Sequence, residues 1–164
     1  MRAFAIAAAV AAAAALLVAS PASAASDVTV SIAGCVFPGG GQATVPAGST
    51  VSFRIGWLAR TAGLEAAFLR DLDLTATVDG AAVAGPMSYW GAPAPATVDG
   101  ADAYRIDWLY PTGTTLGAGD SVTLVWQGVL WHPVTDGFPQ AAGGGLAGPG
   151  DLLAGHDTCT VTGV

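Results

Sequence analysis

Residues 116–131 read LGAGDSVTLVWQGVLW, and the way they alternate decides the fold. After Leu116 come a small glycine-containing turn, Gly117-Ala118-Gly119, and a polar pair, Asp120-Ser121. Val122, Leu124 and Trp126 then fall two residues apart. A period of two puts them on one side of an extended chain, the mark of a β-strand with one buried face. Beyond Trp126 the inward phase is read as passing to Val129 and Trp131, with Gly128 as a β-bulge. The same entry stands earlier, at Val45-Pro46-Ala47-Gly48-Ser49-Thr50-Val51-Ser52-Phe53. An apolar residue, a glycine turn, a polar pair and strict alternation recur there, so the two stretches are read as two strands of one sandwich.

Working outward, residues 28–32 alternate Val28, Val30 and Ile32 against Thr29 and Ser31, a first strand. In 50–58, Val51, Phe53, Ile55 and Trp57 share a face. Residues 61–71 are the helical candidate: Thr61 suits an N-cap, and Leu64, Ala67 and Phe68 line one side, with Glu65 toward solvent. Leu72, Leu74, Ala76 and Val78 form the next strand, and Asp79-Gly80 turns it back through Ala82 and Val83 as a type I′ hairpin. Met87, Tyr89 and Trp90 read as a short strand, and Pro93 and Pro95 confine the residues around them to an edge or loop. Tyr104, Ile106, Trp108 and Tyr110 alternate until Pro111-Thr112-Gly113 closes that strand. Residues 140–151 are Gly- and Ala-rich and read as loop, and the last strand holds Thr158, Cys159, Thr160 and Val161. The expectation is an all-β, Ig-like antiparallel β-sandwich of seven or eight strands with one short crossover helix. A single domain accommodates it, and no threefold repeat suggests a propeller or solenoid.

The first residues set the compartment. Arg2, an apolar run over residues 3–19 and Ala22-Ser23-Ala24 have the layout of a secretory signal peptide over 1–24. A retained membrane anchor is the weaker alternative, since that run is short and mostly alanine. The mature domain is then 25–164, secreted to the medium or the cell envelope. It keeps four arginines against eleven Asp and Glu65, a net charge of −8, and the chain has neither Lys nor Asn. So acidic a surface repels phosphates and anionic headgroups, which argues against nucleic acid or membrane partners. Cys35 and Cys159, in an exported chain, are expected to pair and tie its two ends. Ile32-Ala33-Gly34-Cys35 also resembles a lipobox, which would leave Cys159 a free thiol, but it lies well beyond the apolar run.

Taken together, GSTVSFRIGWLARTAGLEAAFL, the Asp79-Gly80 hairpin, LGAGDSVTLVWQ, HPVTDGF and the closing CTVT resemble small secreted Ig-like β-sandwich proteins of high-GC Gram-positive bacteria. The resemblance spans most of the mature chain. It implies architecture only, and lends no activity and no functional residues.

The residues themselves offer a few sites. His132 and Asp136, four apart past a strand end, together with His156 and Asp157, could form a metal site or a His–carboxylate pair. Their spacing fits no metal motif, and no G-x-S-x-G elbow supplies a nucleophile, so a hydrolase is a distant alternative. The simpler reading makes Asp136-Gly137 a turn in which Asp136 binds its own backbone amides. The many aspartates raise calcium, but an EF-hand loop ends in Glu and the one Glu stands elsewhere, so they read as solvated acid. Trp57, Trp108 and Trp126 take inward positions, whereas Trp90 and Trp131 adjoin irregular stretches, where an indole could stack on a sugar ring. The leading expectation is a non-enzymatic module that binds an extracellular protein or wall polymer through its loops, without cofactor or metal. A carbohydrate-binding module using Trp90 and Trp131 is the first alternative.

Overall fold

The computed structural model describes residues 26–37, 39–139 and 146–164. The expected signal peptide, Pro38 of the glycine-rich turn and residues 140–145 of the expected loop lie outside them. In chain order the elements are β1 (Asp27–Ser31), α1 (Ile32–Val36), β2 (Gln42–Val45), β3 (Ser49–Ala59), α2 (Ala62–Asp71), β4 (Leu72–Val78) and β5 (Ala81–Ala82). A 3-10 turn (Pro86–Tyr89) leads to β6 (Ala94–Val98), β7 (Ala101–Leu116), β8 (Ser121–Leu130), β9 (Val134–Thr135), β10 (Leu146–Ala147), β11 (Gly150–Asp151) and β12 (Thr158–Gly163). One sheet runs β1-β3-β7-β6; the other runs β2-β12-β8-β4-β5 with β11 beside β8; β9 and β10 pair separately. The fold is all-β. Among the described residues no helix is long and apolar enough to cross a membrane.

The two echoing entries fold alike. Gly48 and Gly119 take φ of 89° and 85°, and the Ser49 and Asp120 amides donate to the Pro46 and Gly117 carbonyls, each at 3.1 Å. A positive φ at the third position of such a turn favours glycine. The Gly48 amide donates to Leu116 C=O, so the turns stand at one end of the molecule and start β3 and β8 from there. Inward residues of the two sheets meet in one core that includes Phe53, Ile106 and Trp108 from one side and Leu74, Leu124 and Trp126 from the other. The Trp108 and Trp126 rings, both fully buried, meet edge-on across it at 6.4 Å.

Several expectations need correction. The sheets are not purely antiparallel, because β1 lies parallel to β3 and β2 parallel to β12. The cause is α1, where a strand was expected to extend through Ile32. It caps on Ser31 and turns the chain away from the edge of the first sheet, so that β2 joins the edge of the second. Met87 and Tyr89 belong to a 3-10 turn, entered through Gly85 at φ 55°, instead of a strand. Pro111-Thr112-Gly113 does not end β7. The register shift lies there, where residues 112–114 stand opposite Val51, and Thr112 Oγ donates to the Val51 carbonyl at 2.7 Å. The 140–151 stretch is not all loop, since β10 and β11 fall within it.

Gly128 is no bulge. β4 pairs with β8 in unbroken register from Leu72↔Leu130 to Val78↔Leu124, so Gly128 and Leu130 stay inward and Trp131 turns outward. Glycine is needed there because a Cβ would stand 2.5 Å from the Trp126 ring and 3.1 Å from Leu72. Trp126 is wholly enclosed and cannot swing away. Gly128→Ala is therefore expected to destabilise the protein by about 1–3 kcal/mol in urea unfolding; an unchanged midpoint would contradict this packing.

Cys35 of α1 and Cys159 of β12 form a disulfide across a separation of 124 residues. That rules out the free Cys159 thiol of the lipobox reading.

Candidate functional site

Trp131 is the exposed tryptophan, at 65%. It continues the outward phase of β8 onto a face that also carries Gln127 opposite Thr75, and Val129 between Asp73 and Asp151. Gln127, Thr75 and Asp73 are exposed as well. Its backbone is fixed, the amide donating to Asp71 C=O at 3.0 Å. Next to it, exposed His132 lies with Nδ1 2.9 Å from Asp71 Oδ1. An ionised carboxylate only accepts, so Nδ1 carries the proton. That hydrogen bond holds the Asp71 carboxyl below the usual carboxylate range, against partial desolvation and with help from Arg70. A lowered carboxylate pKa contributes stability above its unfolded value and loses it as pH falls through the folded one, so strong acid loosens this tie.

His132 thus pairs with Asp71, which sequence spacing could not suggest, and not with Asp136. Asp136 forms the turn read as the simpler alternative: its Oδ1 accepts from the Phe138 amide at 2.8 Å and its carbonyl from the Arg60 amide at 2.7 Å. His156 lies elsewhere, edge-on to exposed Phe37 at 5.9 Å. Among the described residues no three His, Cys, Asp or Glu side chains are grouped to hold a metal ion. Trp90 is half-buried, bridged to Trp108 and edge-on to Phe68 at 5.6 Å, so its ring is largely committed to packing. Trp57, read as core, is half-buried too and stacks on Phe68 at 4.5 Å.

Around that aromatic group lies the residue that sequence reasoning misplaced. Thr61 caps α2 as expected, its Oγ accepting from the Leu64 amide. The buried face of the helix, however, carries Glu65 and Phe68, and Glu65 is not exposed at all. Neither carboxylate oxygen has a hydrogen-bond partner. Burial pushes the Glu65 carboxyl up to about 7; the Ala59 backbone opposes this, from outside hydrogen-bond geometry, and the charge of Asp107 adds to it. The signal available was the i, i+3 spacing of Glu65 and Phe68, but a carboxylate on the inner side of a helix is the reading composition disfavours.

Among the described residues, a groove of about 430 Å³ is lined by Phe37 and His156, and another of about 520 Å³ lies between Trp90 and the Arg105–Asp107 ion pair. His132 and Asp136 line neither. Comparison with known protein families, curated proteins and solved structures returns no match.

Proposed function

We propose that this is a secreted, non-enzymatic Ig-like sandwich that binds an extracellular polysaccharide, such as a wall polymer, through the Trp131 face. The observation carrying the proposal is the contrast among the tryptophans: four pack inward or against Phe68, while Trp131 offers its ring to solvent on a hydrogen-bonded strand end. An indole face suits the apolar side of a sugar ring, and Asp73, Gln127 and Thr75 offer partners for hydroxyls on the same face. The Cys35–Cys159 bridge supports the extracellular setting. Trp131→Ala is expected to weaken binding to an insoluble polysaccharide by about thirtyfold, roughly 2 kcal/mol. Its melting temperature should stay near the wild-type value, because little packing is removed. Failure to bind any envelope or plant polysaccharide in pull-down and affinity electrophoresis would end this reading.

A protein partner is the second reading, favoured by Leu58 and Leu109, exposed at 37% and 46% on the outer face of the four-stranded sheet. Leu109→Asp should abolish such an interaction while leaving polysaccharide binding intact.

A further inference from the structure

We propose that α2 is a pH-sensitive clasp, docked against β3, β7 and β9 only while the enclosed Glu65 side chain is neutral.

The geometry gives an ionised Glu65 only the Ala59 backbone as compensation, outside hydrogen-bond geometry, and burial outweighs it. The side chain has no exposure, and both its oxygens lack a hydrogen-bond partner. One turn on, Phe68 is stacked between the helix and Trp57 and meets Trp90 edge-on. The indole N–H groups of Trp57 and Trp90 are buried and unpartnered as well. The charged neighbours do not offset the burial. On β7, Asp107 repels a second carboxylate, and Arg105 is bound to Asp107 at 2.9 Å. On β3, Arg54 also points to Asp107, at 3.5 Å. β9 brings no titratable side chain, and on α2 itself Arg70 pairs with Asp71. Among the described residues no cation pairs with Glu65. A carboxylate so placed either keeps its proton or draws the helix outward to reach water.

The direction in pH comes from linkage. The folded value is raised from 4.5 to about 7, so docking is complete below the lower figure and weakens as pH climbs to the upper one. Across that interval the opening equilibrium grows by up to about tenfold per pH unit, and by roughly tenfold to a hundredfold in all once screening is allowed for. Opening uncovers Trp57, Phe68 and Trp90. It also displaces Asp71, the last residue of α2, whose carbonyl and carboxylate hold Trp131 and His132. Only this last coupling rests on the polysaccharide reading.

The experiment uses the oxidised full-length mature protein without any ligand, between roughly pH 4 and pH 8. Acrylamide quenching of tryptophan fluorescence is expected to rise, and the melting temperature to fall, over the acid-to-neutral interval. Glu65→Gln should be flat, holding its acid-side values throughout. Asp107→Asn, which removes the repulsion, should move the midpoint to lower pH. A flat wild type, a Glu65→Gln profile that tracks the wild type, or an unmoved midpoint in Asp107→Asn would each overturn the clasp; the last decides the matter if Glu65→Gln does not fold. Absence of polysaccharide binding at every pH would sink the binding reading and leave the clasp standing.

Discussion

Replacing the disulfide by the Cys35→Ala/Cys159→Ala pair is expected to destabilise the protein by roughly 4 kcal/mol. The bridge spans 124 residues, and in the chain-entropy model a loop of that size restrains the unfolded chain by roughly 4–5 kcal/mol. Alanine is the better probe because both sites are enclosed, at 4% and 0% exposure, and serine would bury a hydroxyl. A local effect adds to the global one. α1 has five residues, too few to persist alone, and it is held by the bridge and by buried Ile32 and Val36. The melting temperature should fall by on the order of 10–15 °C. The dependence of stability on urea should steepen, since a chain without the cross-link exposes more surface when unfolded. A loss below about 1 kcal/mol would mean that the unfolded chain keeps its ends together unaided.

Trp108→Ala is expected to cost as much or more, roughly 4–5 kcal/mol, in the same measurement. This ring is where the layers meet: it is wholly buried, edge-on to Trp126 at 6.4 Å and stacked near Tyr110 at 5.8 Å. Its Nε1 donates to the Pro86 carbonyl at 2.7 Å, which fixes the 3-10 turn over the core. Truncation leaves a large void and frees that carbonyl at once. Trp108→Phe separates the two contributions: it keeps much of the volume, loses the hydrogen bond, and should cost about 1–2 kcal/mol. A Trp108→Ala protein as stable as wild type would show that the core is not shared between the sheets.

Period-two alternation and glycine turns carried the sequence reading a long way. Residues 116–126 and their echo at 45–53 became β8 and β3 behind matching turns, and Thr61 capped the helix where expected. Asp79 and Gly80 take φ of 49° and 80°, as a type I′ hairpin demands. What escaped depends on partners distant in sequence. The inward phase through Gly128 is set by Trp126 filling the space of a Cβ, so that Trp131 faces out. The His132–Asp71 pair exists because β4 aligns with β8 at Leu72↔Leu130. The run through Pro111 survives because a threonine hydroxyl answers a carbonyl on the next strand. Glu65 defeated the helical wheel, since wheel logic assumes that acids seek water.

Synthesis gives the sulfur pairing a waiting period. Cys159 is polymerised 124 residues after Cys35, so the first thiol has no native mate until that whole stretch has been made. Nor does β12 exist as a surface for α1 to rest on until then. The nascent chain therefore carries an unmated thiol across that interval, and oxidation before Cys159 emerges cannot make the native bond.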